Sequence, residues 1–173
     1  MRPDLHWIEE PGAWRLAIMA RPRAGDWLDD EIAGWRSEGV DIVVSLLEAE
    51  EIDELGLRAE ADLCRAQAMA FIAFPIADCG VPASMQETAF LAQSLARNLS
   101  EGKAVAIHCR AWIGRSSLIA ACVLACCGCD PDGAFAMIEK TRGVRVPDTD
   151  EQRQWVAAFH KASRSPPALH SGP

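Results

Sequence analysis

Long hydrophobic runs are missing from this 173-residue chain: no apolar stretch reaches the roughly 18 residues that a membrane-spanning helix requires. A surplus of positive charge is missing too. With 17 Lys and Arg against 25 Asp and Glu, a net charge of -8, the chain has no basic footprint of the kind that nucleic acid or an anionic membrane demands, so neither is an expected partner. An anionic ligand must then be held by local positive potential. The seven cysteines are odd in number and do not form a spaced disulfide framework. Cys122, Cys126, Cys127 and Cys129 crowd one apolar stretch, and no charged n-region with an apolar h-region precedes them, so a reducing cytoplasm is the expected setting. These cysteines lack the second Cys-x-x-Cys pair or spaced histidines of a zinc set, and free cysteine packs as a small hydrophobe; burial is the reading, with no metal and no other cofactor implied. The G-x-x-x-x-G-K-[ST] run of nucleotide P-loops and internal repeats are also absent.

What is present is an ordinary globular mix, 50% hydrophobic and 24% charged, in a length that suits one domain with one core. Four runs rich in aliphatic residues predict strands at Trp14 to Ala20, Asp41 to Leu47, Ala70 to Ile76 and Ala104 to His108. The last three are almost continuously apolar, as strands buried on both faces of a parallel sheet must be. Helical patterns lie between them: Asp29 to Ser37, then Glu48 to Leu55 and Leu57 to Met69, whose alternating acids and leucines suit surface helices. Ser84-x-x-Glu87 opens a further amphipathic helix as a capping box, Asp130-Pro131 offers an N-cap with proline at the first helical position, and Asp148-x-x-Glu151 offers another N-terminal signal. An apolar helix starts near Arg115. The alternation predicts an α/β fold, a three-layer sandwich with a central, mostly parallel four- to five-stranded sheet flanked by helices. Residues 1–162 read as one domain, and the tail 163–173, with Pro166-Pro167, reads as mobile.

The stretch His108-Cys109-Arg110-Ala111-Trp112-Ile113-Gly114-Arg115-Ser116-Ser117 lies between a buried strand and an apolar helix, where open α/β sheets place their ligands. A short loop there aims successive backbone N–H groups into one concavity, and the helix N-terminus adds partial positive charge, so an oxyanion is held with few basic side chains. Six amides, those of Arg110, Ala111, Trp112, Ile113, Gly114 and Arg115, are the candidate phosphate-binding set. Cys109 faces the same field, which favours the nucleophilic thiolate. Arg115 can return its planar fork to the anion and make two parallel charge-assisted bonds. Ser116 can donate a hydrogen bond to the sulfur as it departs from a phosphoenzyme.

This string resembles the Cys-x5-Arg signature of the protein tyrosine phosphatase superfamily, His-Cys-x-x-Gly-x-x-Arg-Ser, matching at His108, Cys109, Arg115 and Ser116. Upstream, Phe74-Pro75-Ile76-Ala77-Asp78-Cys79-Gly80-Val81-Pro82 resembles the acid loop of the dual-specificity group, and the resemblance makes Asp78 the general acid. Gly39-Val40-Asp41-Ile42-Val43-Val44-Ser45-Leu46-Leu47 is similar to the second strand of that group, its kinase-associated and bacterial members above all. The likeness runs from about Arg15 to Phe159. It implies a metal-independent phosphatase working through a cysteinyl-phosphate. Its substrates would be phosphorylated proteins or small phosphate esters, phosphotyrosine first and phosphoserine or phosphothreonine after it, met as a monomer. The chemistry independently requires such an acid, because expelling an alkoxide or phenoxide needs a proton. As a plain residue of an Asp-Cys-Gly turn, Asp78 has a second reading.

Trp112 stands where the family usually has glycine, the residue that permits close approach or φ > 0. Its indole either leans outward and leaves the amide available, or lids the pocket and distorts the loop. The second case describes a phosphate-binding pseudophosphatase. A rhodanese-type sulfurtransferase also sets a cysteine in an anion-binding loop, but the five-residue spacing to Arg115 and the separate acid loop favour the phosphatase. His108 reads as a buried, hydrogen-bonded support, and Arg110 as a solvent-facing residue at the pocket mouth. By resemblance, Arg142, Arg145 and Gln152 approach the site. Asp26-Trp27-Leu28 reads as an aromatic anchor at a helix start.

Overall fold

The computed structural model describes residues 4–8, 14–111 and 113–164. Among these, five strands form one sheet: β1 (Leu5–Trp7), β2 (Arg15–Ala20), β3 (Ile42–Ser45), β4 (Ala70–Ala73) and β5 (Ala104–Cys109). Their order is β1-β2-β5-β3-β4. All pairs are parallel except β1 with β2. The predicted three-layer α/β sandwich therefore forms, and the sheet gains an antiparallel edge. Seven α-helices cover it: α1 (Leu28–Ser37), α2 (Ala49–Glu54), α3 (Glu60–Ala66), α4 (Met85–Ser100), α5 (Gly114–Cys126), α6 (Pro131–Arg142) and α7 (Asp150–Arg164).

The period of two along each strand divides the core. Leu16 and Ile18 of β2, Val44 of β3, and Val105, Ile107 and Cys109 of β5 face α4, α5, α6 and α7, whose Leu95, Ile119, Phe135 and Phe159 fill that layer. Ala17, Met19, Val43 and Ala106 face the opposite side, against Ile32 and Trp35 of α1 and Cys64 of α3. Because β5 is central and every one of its six residues is buried, its apolar run shows no alternation of polar and apolar residues. Replacing Ile107 by Ala would cost about 2–5 kcal/mol, the usual range for a buried aliphatic truncation.

Local signals set the helix ends. Ser84 Oγ accepts from Glu87 N at 3.2 Å, and Asp130 Oδ1 accepts from Gly133 N at 3.0 Å with Pro131 at the first helical position. Gly143 closes α6 at φ 70°, a left-handed conformation that suits glycine. The start of α7 differs from the Asp148 signal: Thr149 Oγ1 accepts from Gln152 N at 3.1 Å, so the helix begins one residue later and Asp148 is left outside it. Ser163 and Arg164 still belong to α7, beyond the predicted start of the mobile tail; residues 165–173 lie outside the described residues. The aromatic-anchor reading of Trp27 is corrected as well. Leu28 is the buried anchor of α1, while Trp27 is 52% exposed and carries Arg23 over its ring at 5.0 Å. No helix among the described residues is long and apolar enough to cross a membrane.

Candidate active site

The C-terminal ends of three parallel strands converge on one loop. In register, Cys109 of β5 stands opposite Ala20 of β2, and His108 stands opposite Ser45 of β3. β5 ends at Cys109 and α5 starts at Gly114. The strand period sends consecutive side chains to opposite faces. Cys109 points toward α5, where its Sγ lies 3.5 Å from Ser116 Oγ, both groups buried. His108 points to the other layer, fully buried, with Nε2 2.7 Å from Glu60 Oε1 and its ring 6.2 Å from that of Trp35. The support role expected of His108 thus has a specific partner in α3, and Glu60 is itself buried.

Arg115 lies in the first turn of α5 and is 2% exposed. Its Nη1 donates to Glu51 Oε2 at 2.7 Å and to the Ile76 carbonyl at 2.8 Å, with the Leu46 carbonyl at 3.4 Å. Its Nη2 donates to Glu51 Oε1 at 2.9 Å and sits 3.1 Å from Asp78 Oδ1. The guanidinium is thus clamped in two parallel bonds by a carboxylate 64 residues away in sequence, an arrangement that fixes the fork's plane. Burial pulls the Arg115 pKa down, but Glu51, the Cys109 sulfur and Asp78 outweigh it, and the net displacement is upward. Glu51 moves below the usual carboxylate range because Arg115 donates to it, with burial opposing and the Glu48 amide assisting. That amide donates to Glu51 Oε2 at 3.0 Å as half of a capping box at the head of α2.

One turn along α2, Glu54 grips the other arginine of the loop: Arg110 Nη1 and Nη2 donate to its two oxygens at 2.9 and 3.0 Å. Both partners are solvent-exposed. Arg110 is therefore solvent-facing, held to one side by α2. The two acids of α2 were hidden in the sequence as parts of a surface helix; their spacing of three places them on one helix face, yet nothing local names the arginines they meet.

Asp78 occupies the second position of a four-residue turn closed by Gly80 N donating to the Ala77 carbonyl at 2.8 Å. Cys79, the third residue, has φ 56°, the left-handed conformation this position imposes. The turn reading and the acid-loop reading of Asp78 are compatible, because the turn projects Asp78 toward Arg115. Gln152, fully buried in α7, donates from Nε2 to the Gly80 carbonyl at 2.9 Å and accepts from Asp148 N at 3.1 Å. It ties the acid loop to the segment before α7. Of the other residues expected near the site, Arg142 is half-buried; burial lowers its pKa, and Asp4 and Cys109 act against that. Arg145 is exposed. Ala111 and Ile113 lie in the loop as expected, and Trp112 lies outside the described residues.

Asp148 is the residue that sequence reasoning placed wrongly. Its carboxylate lies against the Gly114 backbone amide, so closely that a Cβ on Gly114 would fall 2.0 Å from Asp148 Oδ2. Gly114 is thus required by close approach rather than by φ. Burial displaces the Asp148 carboxyl upward, the Asp78 charge adds to this, and the Gly114 amide and Arg115 oppose it.

The fold that carries this site recurs in solved structures. Kinase associated phosphatase with its catalytic-site cysteine replaced by serine superposes with a TM-score of 0.84 at 20% identity, over 94% of this chain and 96% of that one. A glycine-to-alanine mutant form of Tk-PTP gives 0.74 at 26% identity, over 94% and 98%. PTPMT1 in complex with PI(5)P gives 0.71 at 20% identity, over 86% and 91%. No curated protein matches the sequence significantly. The family model described as Tc-R-P, polymorphic toxin system, DSP-PTPase phosphatase, matches residues 17–129. That span runs from within β2 through α5 and takes in the whole Cys109 to Ser116 loop, and the chain belongs to this family of dual-specificity-type protein tyrosine phosphatases.

Proposed function

We propose that the chain hydrolyses phosphate monoesters in phosphorylated proteins, phosphotyrosine foremost and phosphoserine or phosphothreonine in the same pocket, with Cys109 as nucleophile. The observation that carries this reading is the Arg115 clamp: a fully charged guanidinium is held buried within the turn that follows Cys109, with Glu51 fixing its plane. A phosphate dianion placed against the other loop amides, with that of Gly114 taken by Asp148, meets that guanidinium and the N-terminal dipole of α5 together. The Cys109 sulfur attacks phosphorus in line, the ester oxygen leaves with a proton from Asp78, and a water then displaces sulfur while Ser116 Oγ hydrogen-bonds the departing thiolate. Small aryl phosphates use the same pocket. The enzyme works as a monomer in a reducing cytoplasm, a setting supported by seven cysteines of which none is disulfide-bonded.

Phosphoinositides are the second reading, favoured by the PI(5)P complex of PTPMT1. Against it stand the net charge of -8 and the engagement of Arg110 with Glu54, which leave little positive potential for a polyphosphorylated headgroup. The acid role is tested with a series of aryl and alkyl phosphates of rising leaving-group pKa. Asp78→Asn is expected to lose about 10²- to 10⁴-fold in kcat for poor leaving groups, the usual size of general acid catalysis, and much less for activated ones. An equal loss across the series would assign Asp78 another role.

A further inference from the structure

The turn that carries Asp78 is pinned at both ends by side chains from outside it. At its entry Arg115 Nη1 donates to the Ile76 carbonyl at 2.8 Å, and at its exit Gln152 Nε2 donates to the Gly80 carbonyl at 2.9 Å. Between these pins the turn has little to fix it. The Asp78 side chain is 65% exposed, so packing does not hold it in place. Cys79 takes φ 56°, and a non-glycine residue in that region persists where the surrounding structure over-determines it. The turn closes on itself through Gly80 N and the Ala77 carbonyl at 2.8 Å, and that single backbone bond leaves it free to swing as a unit about its ends.

Gln152, the third residue of α7, does more than start its helix. A glutamine at that position ordinarily reaches back with its oxygen to a backbone amide at the cap. Here Oε1 accepts from Asp148 N at 3.1 Å, while Thr149 Oγ1 accepts from Gln152 N at 3.1 Å. Glutamate would serve that end equally well. The Nε2 end is the one that capping leaves unused, and it meets a carbonyl 72 residues away in sequence. The side chain also abuts the start of α5, since a Cβ on Gly114 would fall 3.0 Å from its oxygen. One fully buried amide thereby references the acid turn to the head of the helix that carries Arg115. From this geometry we infer that Gln152 is a positioning residue for the general acid: by holding the Gly80 carbonyl it sets where the Asp78 carboxyl stands relative to the leaving-group oxygen. The inference rests on the acid role of Asp78 proposed above. Proton transfer demands hydrogen-bond reach, so the effect belongs to departure of the leaving group and not to phosphate binding, which the loop amides and Arg115 carry.

Two variants test it. Gln152→Met keeps the length of the side chain and removes both polar ends, and Gln152→Glu keeps the shape and the acceptor for Asp148 N while removing the donor to Gly80. In both, kcat for phosphates with poor leaving groups is expected to fall about 10- to 100-fold, the size of an ångström-scale misplacement. For activated aryl phosphates kcat should change little, and KM and inhibition by inorganic phosphate should stay at wild-type values. An unfolded fraction lowers turnover of every substrate alike, so a loss confined to poor leaving groups is not a stability effect; where Gln152→Met does not fold, Gln152→Glu decides on the same criteria. Added to Asp78→Asn, either change should cost nothing further. Cys79→Gly, which lets the turn keep its shape unaided, should return part of the activity lost in Gln152→Met. A loss equal across leaving groups, or one that adds to that of Asp78→Asn, would overturn the positioning role and leave Gln152 a structural tie. Were Asp78→Asn itself indistinguishable from wild type across the series, the underlying acid assignment would fail instead.

Discussion

Glu51→Ala removes a residue that no motif names and that touches no substrate. Arg115 is 2% exposed, and the substitution takes away two of its close contacts, at 2.7 and 2.9 Å. What remains is the Ile76 carbonyl at 2.8 Å, the more distant Leu46 carbonyl and the single contact to Asp78. Stranding one partner of a buried ion pair costs about 3–5 kcal/mol. The surviving acceptors place this case at the low end, about 3 kcal/mol, which for a domain of this size lowers Tm by about 6–12 °C. Phosphate supplies the missing countercharge, so a phosphate titration followed by thermal unfolding should narrow the gap between variant and wild type. In kinetics, KM should rise more than kcat falls, because the fork keeps its charge and loses its orientation. A variant that melts within 2 °C of wild type, with the same response to phosphate, would refute the clamp as the organiser of the site.

Glu54→Ala, one turn further along α2, releases an exposed arginine instead of stranding a buried one. It should leave Tm unchanged and, by freeing Arg110 in the loop, raise kcat/KM for dianionic peptides at low salt and not at high salt; salt-independent kinetics would argue against a steering role. Acid should destabilise the fold in a defined window. Glu51, lowered by Arg115, and Asp41, lowered by the Ala104 amide and by Arg36, contribute stability that is complete above the usual carboxylate range and is lost as pH falls through their lowered folded values. The Tm difference between pH 7 and pH 3 should be smaller in Glu51→Gln than in wild type.

The parts of this molecule legible in the sequence are those dictated by neighbours in the chain. β3, β4 and β5 announce themselves because strands buried on both faces cannot carry polar residues, and the Cys109 to Ser116 loop because one strand end and one helix start bring its groups together. β1 was missed: three residues, Leu5, His6 and Trp7, all half-buried at an antiparallel edge, carry no readable period. The predicted ends of β3 and β4 overran by two and three residues. Leu46, Leu47 and Ile76 are buried as strand residues are, but there the chain leaves the sheet to line the site with the Leu46 and Ile76 carbonyls. Glu51, Glu54 and Glu60 looked like surface acids because their partners Arg115, Arg110 and His108 lie roughly fifty residues or more along the chain. Asp148 carried a true signal, a capping residue, assigned to the wrong helix: it serves α5, not α7.

The central claim is that phosphorus passes through the Cys109 sulfur, and rapid acid quench of wild type with an aryl phosphate, followed by peptide mass mapping, tests it most directly. The account predicts a stoichiometric phosphoryl adduct on the peptide carrying Cys109, unchanged by chelator, and none in Cys109→Ser, which should still bind phosphate. Full turnover by Cys109→Ser, or an adduct on any other residue, would contradict it.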